Sequence, residues 1–473
     1  MPFKSKYLIF ILMLSILILE NCKNENEEIP TNVLPEGASK IEASTQRTTG
    51  NAEAGYQYLT TGDYLSSGIP LEVYKLAFGS NSPDDLGRTG DGKGISYAFN
   101  AFTSANGVKV ATNSCLSCHA DKFNGQVVIG LGNTTADNTI DLNQQLDRVD
   151  AVVQFRYAGK TSPEWKAYEA YSRGFHAVAP YIKTETRGIN PADKIFASLS
   201  AFRDKNNLTW LATPQFTIPS RTIPTDVPAW WLFKKKNALY FNGLGKGDHA
   251  SLMSSAALVT LKDTTEARQI DSHFPDVVAY LKTLKAPKYP FTIDQTLTVR
   301  GKTVFLENCS KCHGTYDAVS TYPNYLVDVK TIGTDPALAA EYENFPYYHT
   351  WYNDSWFAKK TPKSQLIPQK GYVAPPLDGI WTTAPYLHNG SVPTLENLLN
   401  SPTRPKYWSR TFEGVTAEYD AVKVGWKYMV ETNKKDNSTY DTTLLGYGNQ
   451  GHIYGDKLSA EDRKALIEYL KTL

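Results

Sequence analysis

Hydrophobic residues fall into helical spacing at two places in the chain that copy one another. Residues 277–284 are VVAYLKTL and residues 466–473 are LIEYLKTL. Val277, Val278, Leu281 and Leu284 share one helical face, and Leu466, Ile467, Leu470 and Leu473 repeat the arrangement. Each octet predicts an amphipathic helix that closes a unit. Ser459 and Asp462 form a capping-box pattern that starts the second helix. Pro287 and Pro290, in KAPKYPF, end the first and mark a linker. Strand-like alternation is sparse, so the pattern predicts a mainly α protein of two similar halves with long loop insertions.

The N-terminus has a different pattern. Lys4 and Lys6 precede an apolar run, Tyr7 to Leu19, that is too short for a comfortable membrane span. Glu20, Asn21 and Cys22 follow, and the stretch resembles a bacterial lipoprotein signal with Cys22 as the lipidated residue. From Lys23 to about Asn51 the chain is polar without apolar periodicity. The expected organisation is a signal peptide over 1–21, a polar tether over 22–51, an N-terminal half over 52–288 and a C-terminal half over 289–473. The expected location is the periplasm, or a membrane surface reached only through a lipid on Cys22.

Charge excludes one class of partner. The 473 residues carry 49 Lys plus Arg against 48 Asp plus Glu, so no basic excess exists for phosphate contacts and nucleic acid is not expected. Of five cysteines, four sit in two C-x-x-C-H motifs: Cys115, Cys118 and His119, then Cys309, Cys312 and His313. No pair remains for a structural disulfide. This spacing is the attachment signature of c-type haem. Two thiols bond to the porphyrin vinyl groups, and the adjacent histidine coordinates iron from one side. The expected cofactors are two covalent haem c groups.

The sixth iron ligand separates an electron relay from a reactive iron. In the second half, His452 lies between glycines in the loop before the closing helix and is the expected sixth ligand of haem 2; Met429 is the reserve. The position matching His452 in the first half is Asp263. His249 and Met253 lie farther upstream, and His273 is expected at the surface or as a cap. Haem 1 is therefore expected to lack a strong sixth ligand, with recruitment of His249 or Met253 as the alternative.

Residues 371–399, GYVAPPLDGIWTTAPYLHNGSVPTLENLL, resemble the bacterial di-haem cytochrome c peroxidases through the Pro385–Ser391 core. With KAPKYPF and GHIYG they are closer to the rubber oxygenase-like di-haem cytochromes. The resemblance covers roughly residues 70 to 473. It implies two cytochrome c-like domains, a reactive N-terminal haem above His119, and a bis-histidine relay haem held by His313 and His452. It places His388 near haem 2 and its propionates, presented by a turn at Asn389 and Gly390. In the peroxidases a tryptophan lies between the haems; here Phe241 takes its place in LYFNGLGKGD, and Trp230 and Trp231 are the nearby alternatives. Asp248 and His249 are the candidates to line the haem 1 pocket. The expected function is activation of peroxide or dioxygen at haem 1, with electrons from a small periplasmic protein. The rivals are a pure electron carrier serving a dehydrogenase or oxidase, and an oxygenase cleaving a hydrophobic alkene. Calcium between the halves, as in related peroxidases, is compatible with the reading, although no compact acidic loop identifies a site.

Overall fold

A computed structural model describes residues 34–413 and 416–473, so the expected signal peptide and Cys22 lie outside the described residues. Gly37–Leu473 forms one unit. The polar tether expected over 22–51 differs from the structure in its second part. Strand β1 (Ala38–Lys40) pairs antiparallel with residues 325–328, Ser39 opposite Leu326, and Ile41 is buried. Arg47 then reaches Asp248 and Asp271, each at 2.7 Å. Backbone pairing and charge hold this arm, which is why it shows no apolar periodicity.

Helix α1 (Ala52–Thr61) starts where the Asn51 side chain accepts the Ala54 N–H. Residues 62–114 follow and end in a hairpin of β2 (Phe99–Thr103) and β3 (Lys109–Asn113) that delivers the chain to the first motif. That motif is a helical turn, Leu116–His119, running into a hairpin of β4 (Ala120–Phe123) and β5 (Gln126–Ile129). Helices α2 (Leu142–Arg156), α3 (Pro163–Val178) and α4 (Ala192–Ala201) form the large insertion of the first half. Helix α5 (Thr264–Thr283) closes it, capped by Asp263. Helix α6 (Gln295–Asn308) opens the second half and passes directly into the second motif turn, Ser310–His313. Then come β6 (Tyr325–Asp328), α7 (Ala337–Asn344), α8 (Tyr347–Asp354), β7 (Gly371–Val373), α9 (Leu395–Leu399) and the final α10 (Ala460–Leu470). Strands recur more often than the sequence pattern indicates. They run two to five residues, too short for alternation to stand out.

Two helix pairs organise the unit. Helix α1 packs on α5, and α6 packs on α10. The pairs share one device. A Cβ on Gly55 would sit 2.0 Å from the Asp276 carbonyl oxygen, and a Cβ on Gly301 would sit 2.0 Å from that of Ala465. Asp276 precedes Tyr280 by the same interval as Ala465 precedes Tyr469, so the two crossings coincide in the frame of the repeated octets. Glycine is used because only hydrogen fits where the backbones cross. Apolar side chains fill in around each crossing. Leu59, Leu116, Trp230, Phe274 and Leu281 belong to one core, and Trp231, Phe305, Trp381, Leu466 and Leu470 to another.

Candidate haem sites

The second motif opens on a cavity of about 190 Å³. Helix α6 carries Cys309 and Cys312 to its edge and turns His313 inward. The His313 Nδ1–H donates to the Pro375 carbonyl at 2.7 Å, which fixes the tautomer and leaves Nε2 with its lone pair. His452 lies opposite, its ring centre 6.3 Å from that of His313 and the planes at 61°. Two imidazoles sharing one metal through bonds of about 2 Å place their ring centres about 6 Å apart. His452 adopts φ 47°, and its N–H is bound by the Ile332 carbonyl at 2.8 Å. Its Nδ1 is buried without a partner. Burial holds the His452 imidazole down to about 3, with the neighbouring His313 adding to the effect, and burial also lowers His313. Both rings are neutral donors at physiological pH.

The cavity walls divide chemically. Phe305, Leu395, Leu398, Leu399, Leu466 and Leu470 supply apolar surface. Asp226, Lys236, Thr334 and His388 supply polar groups. His388 stacks on Tyr372, ring centres 3.9 Å apart and planes at 17°, and its Nε2 is buried without a partner, as is Thr334 Oγ1. The Asp226 N–H donates to the His388 carbonyl at 2.7 Å. Burial raises the Asp226 carboxyl to about 8, lowers the Lys236 ammonium to about 8, and lowers His388 to about 3. Asn389 and Gly390 do form a turn, the Gly390 N–H bonding the Leu387 carbonyl, while the Asn389 amide donates to the carbonyls of Gly446 and Gly448. An apolar slot between facing imidazoles, with two thiols at its edge and unpartnered polar atoms in its wall, fits a haem c.

The first motif is built differently. The Cys115 N–H donates to the Tyr64 hydroxyl at 2.9 Å, and the Gly130 N–H binds the His119 carbonyl at 2.8 Å. The His119 ring stacks on Trp230, centres 4.2 Å apart and planes at 13°. Its Nδ1 is buried without a partner, and burial lowers the imidazole to about 3. Trp231, the next residue, belongs to the core around the second motif and donates its indole N–H to the Asp378 carbonyl at 2.7 Å. The Trp230–Trp231 pair therefore joins the two sites. Phe241 packs against the first core and also lines the large cavity. Burial raises the Cys115 thiol to about 11 and the Cys309 thiol to about 12.

The remaining candidates separate. Asp263 caps α5, accepting from Thr265 and Glu266. Asp248 caps the short helix at 249–254 and is paired with Arg47, so its carboxylate is committed. His249 is buried, edge-on to Phe233 at 5.1 Å, and its Nε2 has no partner. Met253 packs partly buried in the first core. Met429, the reserve ligand, is 59% exposed and the next residue, Val430, is 70% exposed, on a two-residue strand at the edge of its sheet. His273 is exposed within α5 and stacks on Tyr58 at 4.3 Å, about two and a half turns past the helix start. Among the described residues, no group of three or more His, Cys, Asp or Glu is placed to hold a metal ion. Sequence reasoning missed Asp226, Lys236, Thr334 and Tyr372. Asp226, Lys236 and Thr334 come from segments that no local pattern marks, and Tyr372, although inside the 371–399 stretch, is not distinguished there from its neighbours.

Comparison with known proteins adds a class. Residues 371–409 match the family model described as RoxA-like, cytochrome c-like. That segment holds Pro375, which orients His313, together with His388 and α9 from the cavity wall. The chain thus carries a segment similar to a RoxA-like cytochrome c, which implies haem c as a cofactor. The chain is also 28% identical over 298 residues to the uncharacterized protein y4iM of Sinorhizobium fredii (strain NBRC 101917 / NGR234), covering 54% of this chain and 66% of the relative. It is 30% identical over 254 residues to the uncharacterized protein y4iJ of the same organism, covering 40% of this chain and 41% of the relative. The chain therefore spans less than two thirds of either curated relative.

Proposed function

We propose that the protein is an exported di-haem c-type cytochrome with two cytochrome c-like halves, in which the first haem reduces peroxide or dioxygen and the second relays electrons to it. Haem 1 is attached to Cys115 and Cys118 with His119 on iron, and haem 2 to Cys309 and Cys312 between His313 and His452. The observation that carries this reading is the asymmetry of the two sites. His452 faces His313 at 6.3 Å, whereas its counterpart position holds Asp263, occupied in capping α5. When bound, the haems supply the iron and its redox chemistry. The chain supplies a neutral His119, an apolar surround for it, and an aromatic link through Trp230 and Trp231 from one site to the other. A small periplasmic redox protein is the proposed electron donor.

One observation favours a second reading. The unpartnered, buried Nε2 of His249 is available to a metal, and its ligation of haem 1 would make the protein a pure electron carrier. Electron paramagnetic resonance of the oxidised protein, followed by carbon monoxide titration of the reduced protein, separates the two. One high-spin iron and one carbon monoxide per chain support the reactive site. Two low-spin irons that ignore carbon monoxide, with the first becoming high-spin in His249→Ala, establish the carrier.

A further inference from the structure

Helices α4, α7 and α8 line a second, much smaller cavity of about 20 Å³, room for roughly one or two non-hydrogen atoms behind an open mouth. Two acidic side chains and one basic side chain line it, and their formal charges do not cancel. Lys194 is 2% exposed and ion-paired with Glu341. That pairing leaves Asp193, which is 8% exposed. Its Oδ2 stands 3.8 Å from the Lys194 Nζ, beyond hydrogen-bonding distance, and its Oδ1 is buried with no partner. Two carboxylates and one ammonium give a net charge of minus one in a place where an uncompensated charge is costly. The other wall is aromatic. Phe216 and Tyr347 stack with centres 5.6 Å apart and planes at 12°. Phe345 and Tyr347 are 42% and 51% exposed, so the mouth of the cavity is aromatic as well.

We propose that this cavity binds a small alkylammonium ion, with Asp193 as its anionic anchor and the aromatic side chains as its walls. The chemistry selects this class. Aromatic faces attract cations through the ring quadrupole, and an ammonium N–H can satisfy the unpartnered carboxylate oxygen. Calcium and magnesium take six or more oxygen ligands and zinc about four N, S or O donors, which one free carboxylate beside a lysine does not supply. No residue of either motif lines the cavity, and the proposal does not rest on haem 1 being reactive.

Protonation competes with the cation. Burial and Glu341 raise Asp193, and Lys194 offsets them in part, which brings the carboxyl to about 7. The groups facing it are Lys194 on α4, Glu341 and Tyr342 on α7 and Tyr348 on α8. Burial holds both tyrosines well above their ordinary range, so they stay neutral. The ionised fraction of Asp193 then rises about tenfold from pH 6 to pH 8, and cation affinity follows it.

The test is isothermal titration of the isolated haem-loaded protein with methylammonium chloride at pH 6 and pH 8, with sodium chloride at equal ionic strength as control. The expected result is saturable one-to-one binding, about tenfold tighter at pH 8, and weakened at least tenfold in Asp193→Asn. The proposal is overturned if sodium gives the same isotherm, if affinity does not change with pH, or if a folded Asp193→Asn binds as tightly. Because the pH series uses the natural chain, it decides the matter even if the variant does not fold.

Discussion

Replacing His452 with alanine removes one of the two imidazoles that face each other across the large cavity. Few side chains could take its place. Met429 is 59% exposed on a separate strand, and the His388 ring is held against Tyr372 at 3.9 Å. The proposed haem 2 would keep His313, oriented by the 2.7 Å bond to Pro375, and have one axial position open. Axial ligands set haem potentials over a range of about 0.8 V, so loss of one imidazole is expected to shift the potential on the order of 100 mV. That corresponds to about 2 kcal/mol for one electron. Truncating the ring also leaves a gap beside Tyr454, which lies edge-on at 5.1 Å, at a cost of roughly 2–3 kcal/mol in stability. The assay is carbon monoxide titration of the reduced variant, with a paramagnetic resonance spectrum of its oxidised form. The variant should bind one more carbon monoxide per chain than the natural protein and show a new high-spin signal. An unchanged low-spin spectrum with unchanged carbon monoxide stoichiometry would refute the pairing of His313 with His452.

Other outcomes are fixed by the same contacts. Gly301→Ala should lower stability by about 1–3 kcal/mol in thermal melts, because its Cβ would sit 2.0 Å from the Ala465 carbonyl oxygen; a neutral substitution would show that the helix crossing is loose. Trp230→Leu removes the ring stacked on His119, and stopped-flow spectroscopy should show slower electron exchange between the sites, whereas an unaltered rate would assign the route elsewhere. The buried His388 is held at about 3 against about 6.5 when unfolded, so it favours the folded state fully above pH 6.5 and loses that contribution as pH falls toward 3. At pH 5 the loss is about 2 kcal/mol, and the stability of His388→Gln should fall less steeply between pH 6.5 and 5 than that of the natural chain.

The sequence carries the chemistry of attachment openly, because C-x-x-C-H is local: three donors within five residues define it without reference to the rest of the fold. The closing helices are legible for the same reason, since their apolar faces repeat within eight residues. His452 stands out through its place in a glycine-flanked loop before a capped helix, and its ring centre lies 6.3 Å from that of His313. The polar wall of the cavity is not legible. Asp226 and Lys236 come from the first half and Thr334 and Tyr372 from the second, and only tertiary packing brings them together. The arm over residues 38–51 fails for another reason. Its order comes from β1 pairing with β6 and from Arg47 meeting Asp248 and Asp271, and neither leaves a periodic trace. Met429 is exposed for a further reason: it and Val430 lie on a two-residue strand at the edge of a sheet, and both side chains face solvent.

The two halves use one helix crossing and differ in what surrounds it. In the second half α6 runs directly from Gly301 at the crossing to Cys309, and the cavity lies between that motif and the loop carrying His452. In the first half residues 62–114 separate α1 from Cys115, and residues 120–263 separate the motif from α5. The crossing can be kept because a glycine and a backbone carbonyl define it, whatever the loops do. The loops can vary because a covalently attached cofactor does not depend on them to be retained. On the proposed reading, that freedom would let one site do without an axial histidine, Asp263 capping a helix there, while the other sets His452 opposite His313. If Asp263→His, made with a glycine on either side, gave the first site a second low-spin imidazole and abolished carbon monoxide binding, the asymmetry would be traced to that loop; if it left the first site unchanged, the insertions would be what hold the two irons apart in character.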